Sequence, residues 1–217
     1  MITLHFHKSL HNIVGLIFSP ISNILIPVSI NNMDSIKDTP LLSIIIPSFN
    51  SLNKLKSCLV SVKNQTFKDF EVVIIDGDSN DGTQEFLKGL EYPFFWVSEK
   101  DKGIYDAMNK GIEVSKGKWL LFLGCDDIIY NENTLKNIFN KDICANYKLM
   151  IGNIKYCYSS NDSFFLKNKS GIFNSSWSKR LWIYNTAHHQ SILYRKEVFL
   201  LKKYSLDYKI LADYNLN

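Results

Sequence analysis

The sequence predicts an α/β fold with a mostly parallel central sheet flanked by helices. Short apolar runs, each long enough for one buried strand, alternate with segments whose apolar residues recur at helical spacing. Strands and helices that alternate in this way form parallel β-α-β units, with the helices covering the sheet. A chain of 217 residues, of which 46% are hydrophobic, is long enough to bury one full core.

The elements are clearest in the first two thirds of the chain. Residues 41–46 have a buried-strand pattern, and Leu55, Cys58, Leu59 and Val62 then recur on one face of a helix. A later helix, from Ile104 to about Val114, is expected to place Ile104, Ala107, Met108 and Gly111 on its buried side and to stop at Gly117. Further strands are predicted at 70–75, 94–97, 118–123, 149–158 and 192–194. Further helices are predicted at 133–140 and in a short segment ending at 90.

Residues 1–32 differ from the rest, because they contain no Asp or Glu and a single Lys. Three interpretations stay open: a membrane-associating segment, a loosely packed or disordered extension, or an upstream start codon ahead of Met33. We assign residues 1–40 to an N-terminal extension and residues 41–217 to one domain. Its C-terminal end looks truncated, because the chain stops where a helix should begin.

The net charge and the cysteines limit the possible ligands and the cellular compartment. A net charge of +4, with Lys and Arg scattered among Asp and Glu, fits an anionic small substrate or an anionic membrane surface better than a nucleic acid. The four cysteines show neither a CxxC pair nor zinc-ligand spacing, so we expect reduced thiols in a cytoplasmic protein.

Polar residues follow the predicted strands at one edge of the sheet, where parallel α/β proteins bind ligands. The most informative are Asp126 and Asp127, two adjacent carboxylates at the inner end of a buried strand, where charge is costly without a partner. They predict a divalent metal with oxygen ligands, or else a cap of the next helix. The others at this edge are Asn50, Asp76, Asp78 and Asp101.

Five segments together resemble the family 2 nucleotide-sugar glycosyltransferases, which have the GT-A fold, and particularly the bacterial enzymes that build surface polysaccharides. The resemblance covers about residues 42 to 217, and the segments fall in the family's order. They are SIIIPSFN (43–50), IDGDSNDGT (75–83), EKDKGIYDAMNKG (99–111), GCDD (124–127) and ADY (212–214).

The resemblance implies a UDP-sugar as the donor. Asp76 would accept a hydrogen bond from the uracil ring, while the backbone around Pro47 and Ser48 lines the base pocket. Asp101 would approach the ribose and the donor sugar, and Lys102 would meet phosphate. Asn50 and Asp78 complete the predicted donor site at the same edge.

The resemblance also implies the reacting groups. Asp127 would ligate Mn²⁺ or Mg²⁺, with Asp126 as a second ligand or as a contact to the ribose or sugar. Cys125 departs from the family pattern, which often has a small or polar residue there, so the division between the two carboxylates stays open. Asp213 resembles the general base of an inverting transfer, and His189 would contact phosphate or the acceptor.

The predicted function is therefore a metal-dependent inverting glycosyltransferase that acts on a glycan or an undecaprenyl-linked acceptor. We expect it in the cytoplasm, with peripheral contact to the inner face of the cytoplasmic membrane and no nucleic-acid partner. One alternative is a sugar nucleotidyltransferase, although no Gly-rich basic loop follows the first predicted strand. The absence of GxGxxG there argues against a dinucleotide dehydrogenase. The other alternative is a catalytically silent nucleotide-sugar-binding module.

Overall fold

The computed structural model describes residues 13–17, 39–139, 147–157, 172–173, 175, 189–200 and 202–207. Within these ranges the chain forms strands, α-helices and two short 3-10 turns, His189–Ser191 and Lys196–Leu200. The helices are α1 (Leu52–Lys63), α2 (Thr83–Lys88), α3 (Ile104–Val114) and α4 (Thr134–Phe139). The strands are β1 (Ile13–Ile17), β2 (Leu42–Ser48), β3 (Phe70–Asp76), β4 (Phe94–Ser98), β5 (Trp119–Phe122), β6 (Ile128–Ile129), β7 (Leu149–Ile151), β8 (Asn153–Cys157), β9 (Ile172–Phe173) and β10 (Ile192–Arg195).

The main sheet has six strands in the order β4-β3-β2-β5-β10-β7. The four strands β4, β3, β2 and β5 are mutually parallel, while β10 and β7 extend the sheet in antiparallel pairing. Helices pack on both faces, so β2 and β3 are buried along their whole length. The predicted α/β fold with a mostly parallel central sheet is confirmed.

Alternate residues of β2 supply two separate cores. Ile44 and Ile46 point into a cluster with the predicted face of α1, and its four residues are all buried. Ile45 points to the other face, where it packs with α3. The sequence could predict these contacts because strand side chains alternate every residue and helical faces repeat at intervals of three or four.

Helix α3 has the predicted bounds, Ile104–Val114, but its buried face differs at the first residue. Ile104 is 48% exposed, and Tyr105 is buried instead, with its ring 5.4 Å from that of Tyr204. Gly117 lies three residues beyond the helix, where the chain passes close to β2: a Cβ there would lie 2.5 Å from the backbone nitrogen of Ser43. The burial of Tyr105 and the need for glycine at 117 depend on neighbouring elements and not on the helical repeat.

A buried polar network pins the amino ends of the central strands. Ser43 of β2 lies opposite Glu71 of β3 and donates a hydrogen bond of 2.6 Å from its hydroxyl to that carboxylate. The backbone N–H of Lys116 donates to the same carboxylate oxygen, and that of Gly117 donates to the Ser43 hydroxyl. The network fixes the β2–β3 register at the amino ends of the strands and connects these strands to the segment after α3.

Residues 149–158, predicted as one strand, divide at Gly152 into β7 and β8, which belong to different sheets. The backbone N–H of Gly152 donates to the carbonyl of Ser191 at this crossing point. The apolar pattern runs through both strands, so it does not show where the chain leaves one sheet for the other.

The second sheet has four strands in the order β6-β1-β8-β9. Strand β1 pairs antiparallel with β8 and parallel with β6. The sequence analysis did not predict β1, because its five residues lie in one long uncharged run. Residues 1–12 and 18–38 of the predicted extension lie outside the described residues. No helix in the described ranges is both long and apolar enough to cross a bilayer.

Gly111 allows α3 to lie directly against β2, and replacing it tests this packing. A Cβ at Gly111 would overlap with Cγ2 of Ile45. We expect Gly111→Ala to lower the free energy of unfolding by about 1–2 kcal/mol, because overpacking outweighs the gain in helix propensity. Urea denaturation followed by circular dichroism measures the change.

Gly89→Ala is the matched control. Its Cβ would lie 3.6 Å from the carbonyl of Phe86, an ordinary contact at a negative φ. We expect a change within about 0.5 kcal/mol. Equal destabilisation by the two substitutions would contradict the packing argument.

Candidate active site

The carboxyl ends of the four parallel strands form the candidate site. Strand β2 has β3 and β4 on one side and β5 on the other, so the strand order reverses at β2 and the loops there diverge. Ligands of open α/β sheets bind in the crevice at such a switch point. The predicted residues Asn50, Asp76, Asp78 and Asp101 and the Asp126–Asp127 pair follow β2, β3, β4 and β5 in turn.

Asp76 ends β3 and is 0% exposed. Its carboxylate accepts hydrogen bonds from the backbone N–H of Ser79 (3.1 Å), from the Ser79 hydroxyl (2.5 Å) and from the hydroxyl of Ser98 on β4 (2.6 Å). A carboxylate has about four lone-pair sites, so roughly one remains for a ligand. Asp76 therefore links β3, the turn after it and the edge strand β4.

Asn50 connects this turn to the end of β2. Its backbone N–H donates to the Ser79 hydroxyl at 2.8 Å, and its side-chain oxygen accepts from the N–H of Asn80 at 2.9 Å. Asn50 (φ 46°) and Asp78 (φ 66°) both adopt the left-handed conformation, which short polar side chains tolerate. Both are exposed at the rim of the site, and Asp78 accepts a hydrogen bond from Gln84.

Asp81 ties the first turns of two helices together. It accepts hydrogen bonds from the side chain and backbone of Thr83, at the start of α2, and from the backbone N–H of Leu52, at the start of α1. The hydroxyl of Thr83, followed by the N–H of Leu52, holds the pKa of Asp81 below its ordinary value. Asp81 is therefore a structural residue that positions both loops.

Gly77 is the point where the loops after β2 and β4 meet. A Cβ there would lie 2.6 Å from Oδ2 of Asp101 and 3.3 Å from the ring of Phe49. The Asp101 carboxylate is held by the N–H of Gly103 at 2.8 Å, and Lys102 is exposed. The Phe49 ring is 62% exposed at the site. This ring was not predicted as part of the site, although an aromatic residue directly after a strand end could have indicated it.

Asp126 and Asp127 lie in a tight turn after β5. Oδ1 of Asp126 and Oδ2 of Asp127 lie within 3 Å of one point, the position that a Cβ on Gly124 would occupy. The Gly124 N–H donates to Asp127 at 3.1 Å, and Asp127 is 3% exposed. The Asp126 side chain is 43% exposed, with the ammonium of Lys54 at 3.8 Å.

Carboxylate oxygens suit Mg²⁺ or Mn²⁺, which keep waters and substrate phosphates as their other ligands. In the part of the chain that the structure describes, no group of three or more His, Cys, Asp or Glu side chains is arranged to hold a metal. An ion at this turn would therefore have at most Asp126 and Asp127 as acidic ligands and would need further ligands from water or a bound phosphate.

The thiols beside this turn are poorly reactive. Cys58 and Cys125 are both free, and the Cys58 thiol donates a weak hydrogen bond to the carbonyl of Gly124. Burial raises the pKa of both thiols, and the carboxylates of Asp126 and Asp127 raise it further. Both stay protonated at neutral pH, so neither is a nucleophile.

Two buried polar atoms at this edge have no hydrogen-bond partner among the described residues. One is the hydroxyl of Ser48, which lies opposite Asp76 in the β2–β3 register and beside Pro47. The other is Oε1 of Gln190, which the sequence analysis did not single out. Buried polar atoms normally have partners, so a ligand or water is expected at both.

His189 precedes Gln190 in the 3-10 turn before β10. Because β10 is antiparallel to β5, its amino end lies at the carboxyl edge of β5, which brings His189 to the side of the candidate site. The remaining predicted residue, Asp213, lies outside the described residues.

The chain resembles known proteins over most of its length. A family model described as Glycosyl transferase family 2 matches residues 43–201. A PGL/p-HBAD biosynthesis glycosyltransferase from Mycobacterium tuberculosis is 34% identical over 184 residues, which cover 82% of this chain and 68% of that protein. An uncharacterized glycosyltransferase from Rickettsia prowazekii is 31% identical over 111 residues, covering 48% of this chain and 35% of that protein.

Solved structures share the fold. TarS of S. aureus, solved in complex with UDP, has a TM-score of 0.60 at 20% identity and covers 81% of this chain. A mannosyltransferase from Pyrobaculum calidifontis, solved with GDP-Man and Mn²⁺, has a TM-score of 0.56 at 16% identity and covers 79%. The chain spans about half of these two proteins, 53% and 49%. The predicted GT-A fold is confirmed.

Asp81 makes the stability of the site loops depend on pH. A carboxyl whose pKa is lowered by folding stabilises the protein above its unfolded pKa of about 3.9, and this contribution is lost as the pH falls through the folded pKa. We therefore expect Asp81→Asn to lower Tm at pH 7, and the difference from wild type to narrow below about pH 4. Thermal unfolding between pH 7 and pH 3 measures it.

Asp78→Asn is the control in the same turn, since Asn also tolerates the left-handed conformation and only the exposed contact to Gln84 changes. It is expected to lower Tm at pH 7 much less than Asp81→Asn does. A Tm difference for Asp81→Asn that is the same at pH 7 and pH 3 would contradict the assigned role.

Proposed function

Because the chain belongs to glycosyl transferase family 2, we propose that it transfers a sugar from a UDP-sugar to a hydroxyl group, with inversion at the anomeric carbon. The acceptor is a glycan or an undecaprenyl-linked saccharide in bacterial surface-polysaccharide synthesis. The proposed location is the cytoplasm, with peripheral contact to the inner face of the membrane that holds such an acceptor.

The observation that carries this proposal is that the carboxylates of Asp126 and Asp127 lie at the same sheet edge as the buried Asp76 and the Ser48 hydroxyl, which has no hydrogen-bond partner among the described residues. Neighbouring strands lie about 4.8 Å apart, so the ends of β3 and β5, on either side of β2, are separated by about 10 Å. The base and the diphosphate of one nucleotide can bridge that distance. The base would lie at the β3 end and the diphosphate at the β5 end.

The β3 end offers a site for the uracil base. The open acceptor position of Asp76 would receive an N–H of the base, and Pro47 and Ser48 would line the pocket. The exposed ring of Phe49 supplies an apolar face on which a base can stack. Asn50 and Asp78 lie at the rim, next to Asp101, which is proposed to contact the ribose and the donor sugar.

The β5 end offers a site for the diphosphate. Asp127, anchored by the Gly124 N–H, and the accessible Asp126 would hold Mn²⁺ or Mg²⁺. Such an ion would supply positive charge that offsets the negative charge developing on departing UDP. Lys102 and His189 are proposed as further contacts to phosphate or acceptor. TarS with UDP and the mannosyltransferase with GDP-Man and Mn²⁺ support this class of ligand.

The proposed transfer is a single displacement. The carboxylate of Asp213 takes the proton of the acceptor hydroxyl as its oxygen bonds to the anomeric carbon. The bond from that carbon to the diphosphate oxygen breaks in the same step, and UDP leaves with the electron pair. The role of Asp213 rests on the family resemblance of its ADY segment.

The acidic pair should make UDP binding depend on the metal. We expect Asp126→Asn and Asp127→Asn each to weaken UDP binding in the presence of Mn²⁺ by about tenfold or more, because a charged ligand contact is lost. Isothermal titration calorimetry measures the affinity. Glu113→Gln is the control, since it removes a carboxylate on α3 that pairs with Lys203. UDP binding that a chelator leaves unchanged would contradict the metal site.

Transfer itself is tested by UDP release from a panel of UDP-sugars with Mn²⁺, with GDP-mannose included. Asp213→Asn is expected to abolish release while UDP binding is kept. If UDP binds but neither hydrolysis nor transfer occurs, and Asp213→Asn changes nothing, the chain is a silent nucleotide-sugar-binding module. Tighter binding of GDP than of UDP would overturn the assignment of the base.

The exposed ring of Phe49 is the proposed stacking surface, and its removal should weaken UDP binding. We expect Phe49→Ala to lower the affinity by about tenfold, the usual size of a base–aromatic stack, and Phe49→Tyr to keep it. Phe95→Ala is the control, because that half-exposed ring lies on the edge strand β4 beneath Lys116. Equal effects of Phe49→Ala and Phe95→Ala would exclude a specific stack.

A further inference from the structure

Lys54 places a positive charge at the acidic turn after β5. It lies in the first turn of α1, and its ammonium is 3.8 Å from Oδ2 of Asp126. The two side chains are 42% and 43% exposed, so the pair lies at the surface of the site and can open without disturbing the core. The neighbouring cation on the helix, Lys56, points elsewhere, with its ammonium over the ring of Phe86.

The surroundings of Lys54 are acidic. Asp76, Asp78 and Asp101 lie at the same edge as the Asp126–Asp127 pair. Lys110 of α3 does not offset these charges, because its ammonium is held by Glu99 at 2.7 Å and by Asp106 at 3.6 Å. A nucleoside diphosphate that approaches this edge meets several negative charges, and Lys54 offsets one of them directly.

The ammonium of Lys54 contacts Oδ2 of Asp126, whereas Oδ1 of Asp126 lies near Gly124 together with Oδ2 of Asp127. A divalent ion bound to the Asp126 carboxylate would lie close to this ammonium and repel it. A diphosphate that arrives with the metal supplies a new partner for the ammonium at short range. The flexible four-carbon stem of lysine allows this change of partner.

We propose that Lys54 exchanges Asp126 for the diphosphate when metal and nucleotide bind, so that each ligand strengthens the binding of the other. This inference rests on the proposed function. In the free protein Lys54 weakens the binding of metal alone, and in the complex it contacts the phosphates. The coupling is reciprocal, because the two ligands share one thermodynamic cycle.

Lys54→Met tests the exchange, since it keeps an apolar stem of similar length and removes the charge. We expect Mn²⁺ alone to bind about threefold tighter than in wild type, the size of an exposed ion pair, as measured from the free Mn²⁺ signal in electron paramagnetic resonance. We expect UDP at saturating Mn²⁺ to bind about tenfold weaker, because a charged contact is lost. Calorimetry measures the second affinity.

Two variants serve as controls. Lys56→Met makes the same charge change on the same helix and is expected to leave both affinities within about twofold of wild type, the lower end of exposed-pair effects. Lys54→Arg keeps the charge and is expected to keep the coupling between Mn²⁺ and UDP. Thermal unfolding of each variant checks that the fold is retained.

The outcomes separate this proposal from the proposed function. Wild type that binds no UDP with Mn²⁺ overturns the proposed function, and the exchange with it. If wild type binds UDP, and Lys54→Met has the same affinities for Mn²⁺ and UDP as Lys56→Met, the exchange alone is overturned. The contact between Lys54 and Asp126 is then only a surface ion pair. A Lys54→Met variant with weaker Mn²⁺ binding, or with tighter Mn²⁺ binding and unchanged UDP binding, also overturns it.

Discussion

Two buried carboxylates on β3 hold the central sheet in register and give the site its shape. Glu71 and Asp76 lie opposite Ser43 and Ser48 of β2, one pair near each end of the strands. A buried charge is costly unless hydrogen bonds satisfy it, and both carboxylates accept bonds from hydroxyl and backbone donors. A one-residue slip of β3 would break the bond from Ser43 of β2 to Glu71 and the bond from Ser98 of β4 to Asp76, and it would turn the apolar side chains to the wrong faces. The loops that carry the functional residues therefore start from fixed positions.

At the carboxyl ends of the strands, similar hydrogen bonds continue from the sheet into the loops. Ser79 accepts a hydrogen bond from Asn50 and donates one to Asp76, so these bonds hold the loops after β2 and β3 together. Asp81 ties the same loops to α1 and α2, and Gly77 leaves room for Asp101 from the loop after β4. The acidic turn after β5 is held separately, by the bond from Gly124 to Asp127. The loops after β2 and β3 are therefore held by more hydrogen bonds than the acidic turn after β5.

The two carboxylates after β5 differ in exposure and in partners. Asp127 is buried and held by the backbone, whereas Asp126 is open to solvent and paired with Lys54. A pair of this kind contributes little to stability. Its importance for binding comes from the position of the ammonium, which lies where metal and diphosphate are proposed to meet. Lys54 thus connects α1, the helix after β2, to the acidic turn after β5.

Alternation, helical repeats and strand-end motifs are local patterns, so the parallel strands, the buried face of α1, the family and the carboxylates at one edge could be predicted from the sequence. The hydroxyls that hold Asp76, the positions of Phe49 and Lys54, and the division of residues 149–157 between two sheets could be seen only in the folded chain. Ser98 reaches Asp76 only because β4 pairs with β3, and Lys54 reaches Asp126 only because β5 adds next to β2. Such contacts join residues more than 20 positions apart, and their positions are set by strand order and packing, which no local pattern records.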